Sequence, residues 1–235
     1  MPQRFQVDRR GAAAYLAAFT LACTPKAPAP LGPLGMAPVS RGQVAEWVAA
    51  TAPEGHRTVR FNWRWQDERG SAGGKGSARV AAPDSVRLDM SGPFGAGRSA
   101  GVVIGDSAVW TDPPDAIERI VPSYPLMWAL FGVARMPAES AELRGLSDSA
   151  MTSWQAVTGT DTVVYVRTRT GPKLLTEVRQ AGKVLGRVET AFGADGRPVT
   201  SRLTVPSLPA RLDITFTASD STAPFPARLW MSGRP

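Results

Sequence analysis

Val59, Phe61, Trp63 and Trp65 alternate with Arg60, Asn62 and Arg64. This period of two predicts a strand with one apolar face and one wet face. Val86, Leu88 and Met90 repeat the pattern against Arg87 and Asp89, and short strands are expected at 77–81, 99–104 and 108–111, the last two joined through Gly105-Asp106. A second group of strands is expected at 153–157, 162–169, 174–180, 184–191, 199–205 and 212–217, with a last short one at 229–231. Gly182, Asp195-Gly196 and Ser207-Leu208-Pro209 punctuate this group as turns.

Two segments carry a helical period instead. Ser40-Arg41-Gly42-Gln43 has the spacing of a capping box, Val44, Trp47, Val48 and Thr51 follow at helical intervals, and Pro53 and Gly55 close the element. Between the two strand groups, Pro122-Ser123-Tyr124-Pro125 opens the stretch LMWALFGVARM, where Leu126, Met127, Leu130, Phe131 and Val133 form a broad apolar stripe with Gly132 inside or at its end. So apolar a helix must bury its face, and the available partner is the apolar face of the sheet. The expected fold is mainly β with α: a curved antiparallel sheet, or open half-barrel, whose concave apolar face is covered by helices and which occupies residues 40–235.

Upstream the pattern changes. Arg4, Arg9 and Arg10 precede the uncharged run GAAAYLAAFTLA, which is too short to span a bilayer as a helix; residues 1–22 read as an export signal. Thr20-Leu21-Ala22-Cys23 resembles a bacterial lipobox, which implies lipidation of Cys23; an ordinary secretory signal ending near a cysteine is the alternative. Residues 23–39 then read as the lipidated cysteine and a semi-extended tether, with prolines at 25, 28, 30, 33 and 38 and neither a helical nor a strand period. Stable anchoring needs more than one acyl chain.

The formal charge of +7 rests on arginine, since only Lys26, Lys75, Lys173 and Lys183 are lysines. The arginines are dispersed among apolar residues, with no basic run of the kind that grips nucleic acid, so none is expected as a partner. One cysteine permits no intramolecular disulfide. Catalysis has little to work with: His56, the sole histidine, is expected in an exposed loop, no Gly-x-Ser-x-Gly elbow is present, and one histidine and one cysteine cannot make a metal site. Residues 70–76, GSAGGKG, lack the P-loop spacing and are expected to form a flexible hairpin loop. Asp112 and Asp115 flank two prolines and are expected in a turn. Trp63, Trp65, Trp110 and Trp128 suit either a core or a cavity lining. Neither an enzyme nor a cofactor is expected.

The order of these elements resembles the LolA/LolB family of lipoprotein-localisation factors over residues 40–217. Three features favour its LolB branch: the anchor at Cys23, Gly92-Pro93-Phe94-Gly95 in place of that branch's Asn-Pro-Leu-Gly loop, and Leu130-Phe131-Gly132 where the mid-chain helix ends. The resemblance implies an apolar cavity for the acyl chains of a cargo lipoprotein, with Phe61, Trp63, Leu88, Met90, Ile104, Leu130, Phe131, Leu203 and Ile214 as candidate lining. It also implies a membrane-insertion loop at Pro93 and Phe94, a periplasmic LolA-like donor, a monomer, and work at the periplasmic face of the outer membrane. Thr24 after the cysteine, in place of Asp, agrees with that location. The alternative is a structural or interaction lipoprotein of the same fold with a filled core and no lipid-transfer role.

Overall fold

The computed structural model describes residues 31–92 and 97–231. Cys23, the signal segment before it, Pro93 and Phe94 lie outside the described residues. Among the described residues the chain forms thirteen strands: β1 (Ala37–Pro38), β2 (His56–Asp67), β3 (Gly70–Ala81), β4 (Ser85–Ser91), β5 (Arg98–Ile104), β6 (Ser107–Asp112), β7 (Glu142–Ser147), β8 (Met151–Thr158), β9 (Asp161–Thr168), β10 (Lys173–Gln180), β11 (Lys183–Phe192), β12 (Pro198–Val205) and β13 (Ala210–Ser221). The helices are α1 (Arg41–Ala49) and α2 (Tyr124–Ala129).

All pairings are antiparallel and build a single open sheet in the order β1-β7-β8-β9-β10-β11-β12-β13-β2-β3-β4-β5-β6. Each strand group is a meander, and the β13–β2 ladder welds the two. The pleat then aligns the apolar positions across strands: the register sets Tyr165, Thr176, Val188, Leu203, Leu212 and Trp65 in one cross-strand row.

The sheet is curled, and hydrogen bonds to α2 prove it. Thr190 of β11 donates through Oγ1 to the Ala129 carbonyl at 2.6 Å, while Trp128 Nε1 donates to the Gly105 carbonyl, at the end of β5, at 2.7 Å. Six strand spacings separate β11 from β5, about 29 Å in a flat sheet. A helix about 10–12 Å across reaches both only if the sheet wraps around it. α2 thus sits on the inner face, within a core that includes Phe61, Val103, Val178, Leu203 and Ile214. A smaller cluster places Val44 and Trp47 of α1 against Trp154 and Tyr165, with Trp154 stacked on Tyr165 at 5.2 Å. Both helices cover the inner face, as expected. Ser40 caps α1 by accepting from the Gln43 N–H.

Several local expectations are corrected. The mid-chain helix ends at Ala129, so of the two placements expected for Gly132 the structure takes the one at the helix end. Gly132 (φ 77°) closes it in a Schellman pattern, its N–H donating to Ala129 O and the Val133 N–H to Trp128 O. Residues 70–76 are strand, not loop, and the chain reverses at Glu68-Arg69. The glycines have a packing purpose. Gly76 and Gly74 stand opposite Phe61 and Trp63, and a Cβ at Gly76 would lie 2.3 Å from the Phe61 ring while one at Gly74 would lie 1.9 Å from Ser91 O. Residues 227–230 form a 3₁₀ turn, not a strand, and the Leu229 carbonyl there accepts from Arg87, only 1 % exposed, at 3.1 Å. His56 opens β2, half-buried, with its ring edge-on to Phe225 at 5.5 Å. β7 was not expected, and Ala37 and Pro38 pair with it.

Candidate functional site

The chain leaves β6 at one edge of the sheet and must cross the inner face to begin β7 near the other. This crossing, residues 113–141, carries α2 and defines the candidate site. Before α2 it turns through Asp115 (φ 60°) and lays Ala116, Ile117, Ile120 and Val121 over the N-terminal strands. The backbone N–H groups of Ala116, Arg119, Ile120 and Val121 donate to Pro113, Asp115 and, twice, Ile117. Those bonds are all local, so side-chain contact presses this stretch onto the sheet. Gly101 makes room for it, since a Cβ there would lie 2.7 Å from Ile117 Cδ1.

Between crossing and sheet lies a cavity of about 40 Å³. Its floor comes from Phe61, Leu88, Met90 and residues 99–101, its far wall from Leu212 and Ile214, and its roof from the crossing with Met127, Leu130 and Phe131. Among the described residues, Ser99 supplies the only polar side chain of the lining. The volume is room for a few waters at most and far below the roughly 300–1,000 Å³ of ligand pockets. The concavity is therefore filled by the chain's own crossing segment.

Of the residues expected to line a cavity, Phe61, Leu88, Met90, Leu130, Phe131 and Ile214 meet around this space. Leu203 is wholly buried in the same core, near Gly186 and Leu126, but does not reach it. Trp63 is half-buried against the core edge, and its Nε1 donates to Lys75 O at 3.2 Å. Ile104 faces outward, 39 % exposed, because it follows the inward Val103 in the strand alternation. The tryptophans line no part of the cavity: Trp128 is wholly buried, Trp65 bonds to Asp67, and Trp110 lies beneath the Arg87 guanidinium. The roof residues Ile117, Ile120 and Val121 were missed, although their i, i+3, i+4 spacing is an apolar signal.

A second cleft, of about 400 Å³, opens on the other side of Phe131. Phe131, Gly132, Val133 and Phe216 form its apolar side, and Arg57, Arg167 and Arg197 stand on its polar side. No spacing along the chain announced these three arginines, which come from β2, β9 and the turn before β12. Phe61, Phe131 and Phe216 meet edge to face in a triad with centroids 6.2–6.3 Å apart. This triad is the partition between the two spaces. Among the described residues, no group of three or more His, Cys, Asp or Glu is placed to hold a metal ion.

An open antiparallel half-barrel with a chain crossing over its apolar inside is the LolA-like fold. Two solved structures are similar to it: a LolA superfamily protein from Nitrosomonas europaea, 14 % identical, covering 83 % of this chain and 98 % of that one with a TM-score of 0.56, and a putative outer membrane lipoprotein-sorting protein domain from Vibrio parahaemolyticus, 12 % identical, covering 80 % and 94 % with a TM-score of 0.54. At such identities the likeness is one of fold. No family model matches the chain, and no curated protein does.

Proposed function

We propose that this chain binds acyl chains in the concavity of its half-barrel and receives or inserts lipoproteins at the outer membrane, as a LolB-like acceptor. The observation that carries the reading is the wall around the 40 Å³ space, which offers apolar contact from both strand groups and almost nothing polar. Such a wall takes methylene chains by the hydrophobic effect, each buried CH₂ contributing about 0.8 kcal/mol. Because the space is filled at rest, binding requires the stretch around Ile117 to lift. Its local hydrogen bonds allow it to move as a unit without breaking the sheet ladder. Acyl chains then replace the contacts of Ile117, Ile120 and Val121.

Lipidation of Cys23 anchors the body in this reading, the residues between Cys23 and the pairing of Ala37 with β7 set its reach, and Phe94 with Pro93 forms the loop that addresses the bilayer. A periplasmic LolA-like donor hands over the cargo, and the names of the two similar structures, one a LolA superfamily protein and one a lipoprotein-sorting domain, agree with that traffic. Metabolic labelling with palmitate tests the anchor: the wild type takes up label and Cys23→Ser does not, and equal labelling of the two contradicts lipidation there.

The small cavity also favours a second reading, in which the filled core is permanent and the protein is a structural or interaction lipoprotein. Native mass spectrometry after incubation with a dipalmitoylated peptide separates the two. A retained complex of one peptide per chain supports the carrier, and bare protein at every peptide concentration supports the filled core.

A further inference from the structure

The cleft behind Phe131 is lined by three arginines drawn from separate elements. Arg57 comes from β2, Arg167 from β9, and Arg197 from the turn before β12, so folding alone gathers their charges at one cleft. Two carboxylates also line it, and neither engages a guanidinium closely, Asp195 accepting instead from the Arg197 backbone N–H at 3.1 Å. Glu54, 94 % exposed, lies 4.0 Å from Arg57, and Asp195, 62 % exposed, lies 3.8 Å from Arg197. Exposed pairs at such separations are weak. Arg167 and Arg197 spend one nitrogen each on the carbonyls of Ala50 and Ser219. Arg57 has a buried Nε with no acceptor. A buried donor without a partner is a place where an acceptor binds with gain.

The opposite side of the cleft is apolar, and its Phe131 also roofs the cavity beneath the crossing. One aromatic ring therefore stands between a cationic compartment of about 400 Å³ and an apolar one. The sequence of surfaces, guanidinium then aromatic then aliphatic, is that of a site for an anionic amphiphile. Guanidinium forks suit a phosphate, whose several oxygens can accept from more than one arginine.

We propose that this cleft binds the phosphate head group of a lipid, whose chain passes Phe131 into the apolar concavity. The tail, and only the tail, rests on the acyl-binding reading above. The protein would then select phosphate-headed lipids over neutral ones.

The test uses the full chain carrying Cys23→Ser, so that its own lipid cannot compete, with dodecyl phosphate, dodecyl glucoside and inorganic phosphate titrated at low salt. Dodecyl phosphate is expected to bind about tenfold tighter or more than the glucoside, and to lose that preference at high salt. Arg57→Gln with Arg197→Gln is expected to bring dodecyl phosphate to the affinity of the glucoside and to leave the glucoside unchanged. Should that variant fail to fold, the salt dependence and the ligand pair on the unaltered arginines decide alone. Equal affinity for the two dodecyl ligands overturns the head-group site and leaves the acyl-binding reading standing. Arginine-dependent binding of dodecyl phosphate no tighter than inorganic phosphate, with the glucoside unbound, supports the head-group site and overturns the acyl-binding reading; inorganic phosphate bound with neither dodecyl ligand overturns both.

Discussion

Glu177 is wholly buried on β10, between the guanidinium groups of Arg179 and Arg187, which remain about a quarter exposed. The exposures make the trio asymmetric. Removing the carboxylate leaves two arginines that water can still reach, whereas removing the arginines strands a charge in the protein. Glu177→Gln should therefore lower the free energy of unfolding by about 1 kcal/mol, and Arg179→Ala with Arg187→Ala by about 3 kcal/mol, both read by urea unfolding. Tyr165 makes a pH prediction. Burial pushes its hydroxyl well above the ordinary tyrosine range, only partly offset by the bond it accepts from the Arg135 N–H. A raised folded pKa means that the stability Tyr165 contributes is complete below its unfolded pKa of about 10 and is lost as pH rises toward the folded value. Tyr165→Phe should cost about 1 kcal/mol near neutrality, and the gap from wild type should narrow above pH ~10.

The elements that alternation exposes are those whose apolar side chains are large. β2, β4 and the strands from β8 to β13 were legible because Val, Leu, Ile and aromatics mark every second residue. The first half of β3, residues 70–76, and β7 were hidden for a common reason: glycine occupies positions where a large neighbour lies over the backbone. Gly76 accommodates Phe61, and Gly145 accommodates Trp47, whose ring would stand 2.6 Å from a Cβ. Composition reads such glycines as loop, while packing makes them strand. Gly74→Ala should consequently destabilise by about 3 kcal/mol, because backbone, not a pliable side chain, blocks the new methyl group. Gly132→Ala strikes the α2 cap, adding left-handed strain of about 1 kcal/mol to a clash with Phe192 at 2.6 Å. Thermal melting of both variants checks the order, with Gly74→Ala the less stable. The same reasoning explains why α2 is short: the stripe from Leu126 to Val133 is helical in spacing, but Gly132 ends it.

At the scale of the molecule, two meanders are joined edge to edge and the crossing between them is trapped inside their curl. The sheet and its covering helices could be foreseen from periodicity. The crossing's role as a roof could not, because Ile117 and Val121 follow a proline-rich turn and their partners lie on strands both before and after them. Phe61 and Ile214 were recognisable as inward residues, while Ile104 was placed on the wrong face of β5, whose unbroken alternation turns Val103 inward and Ile104 out opposite Ser85. The account stands on whether an acyl chain can take the roof's place. Palmitate carrying a photoreactive group near its chain end, irradiated with the Cys23→Ser chain and mapped by peptide mass spectrometry, addresses that directly. Labels confined to peptides bearing Leu88, Met90, Ile117 or Leu130 are predicted, and competition by unlabelled palmitate should remove them. Labelling no greater than that of an unrelated β-protein, or labels spread over the outer face around Ile104 and Val109, would contradict it.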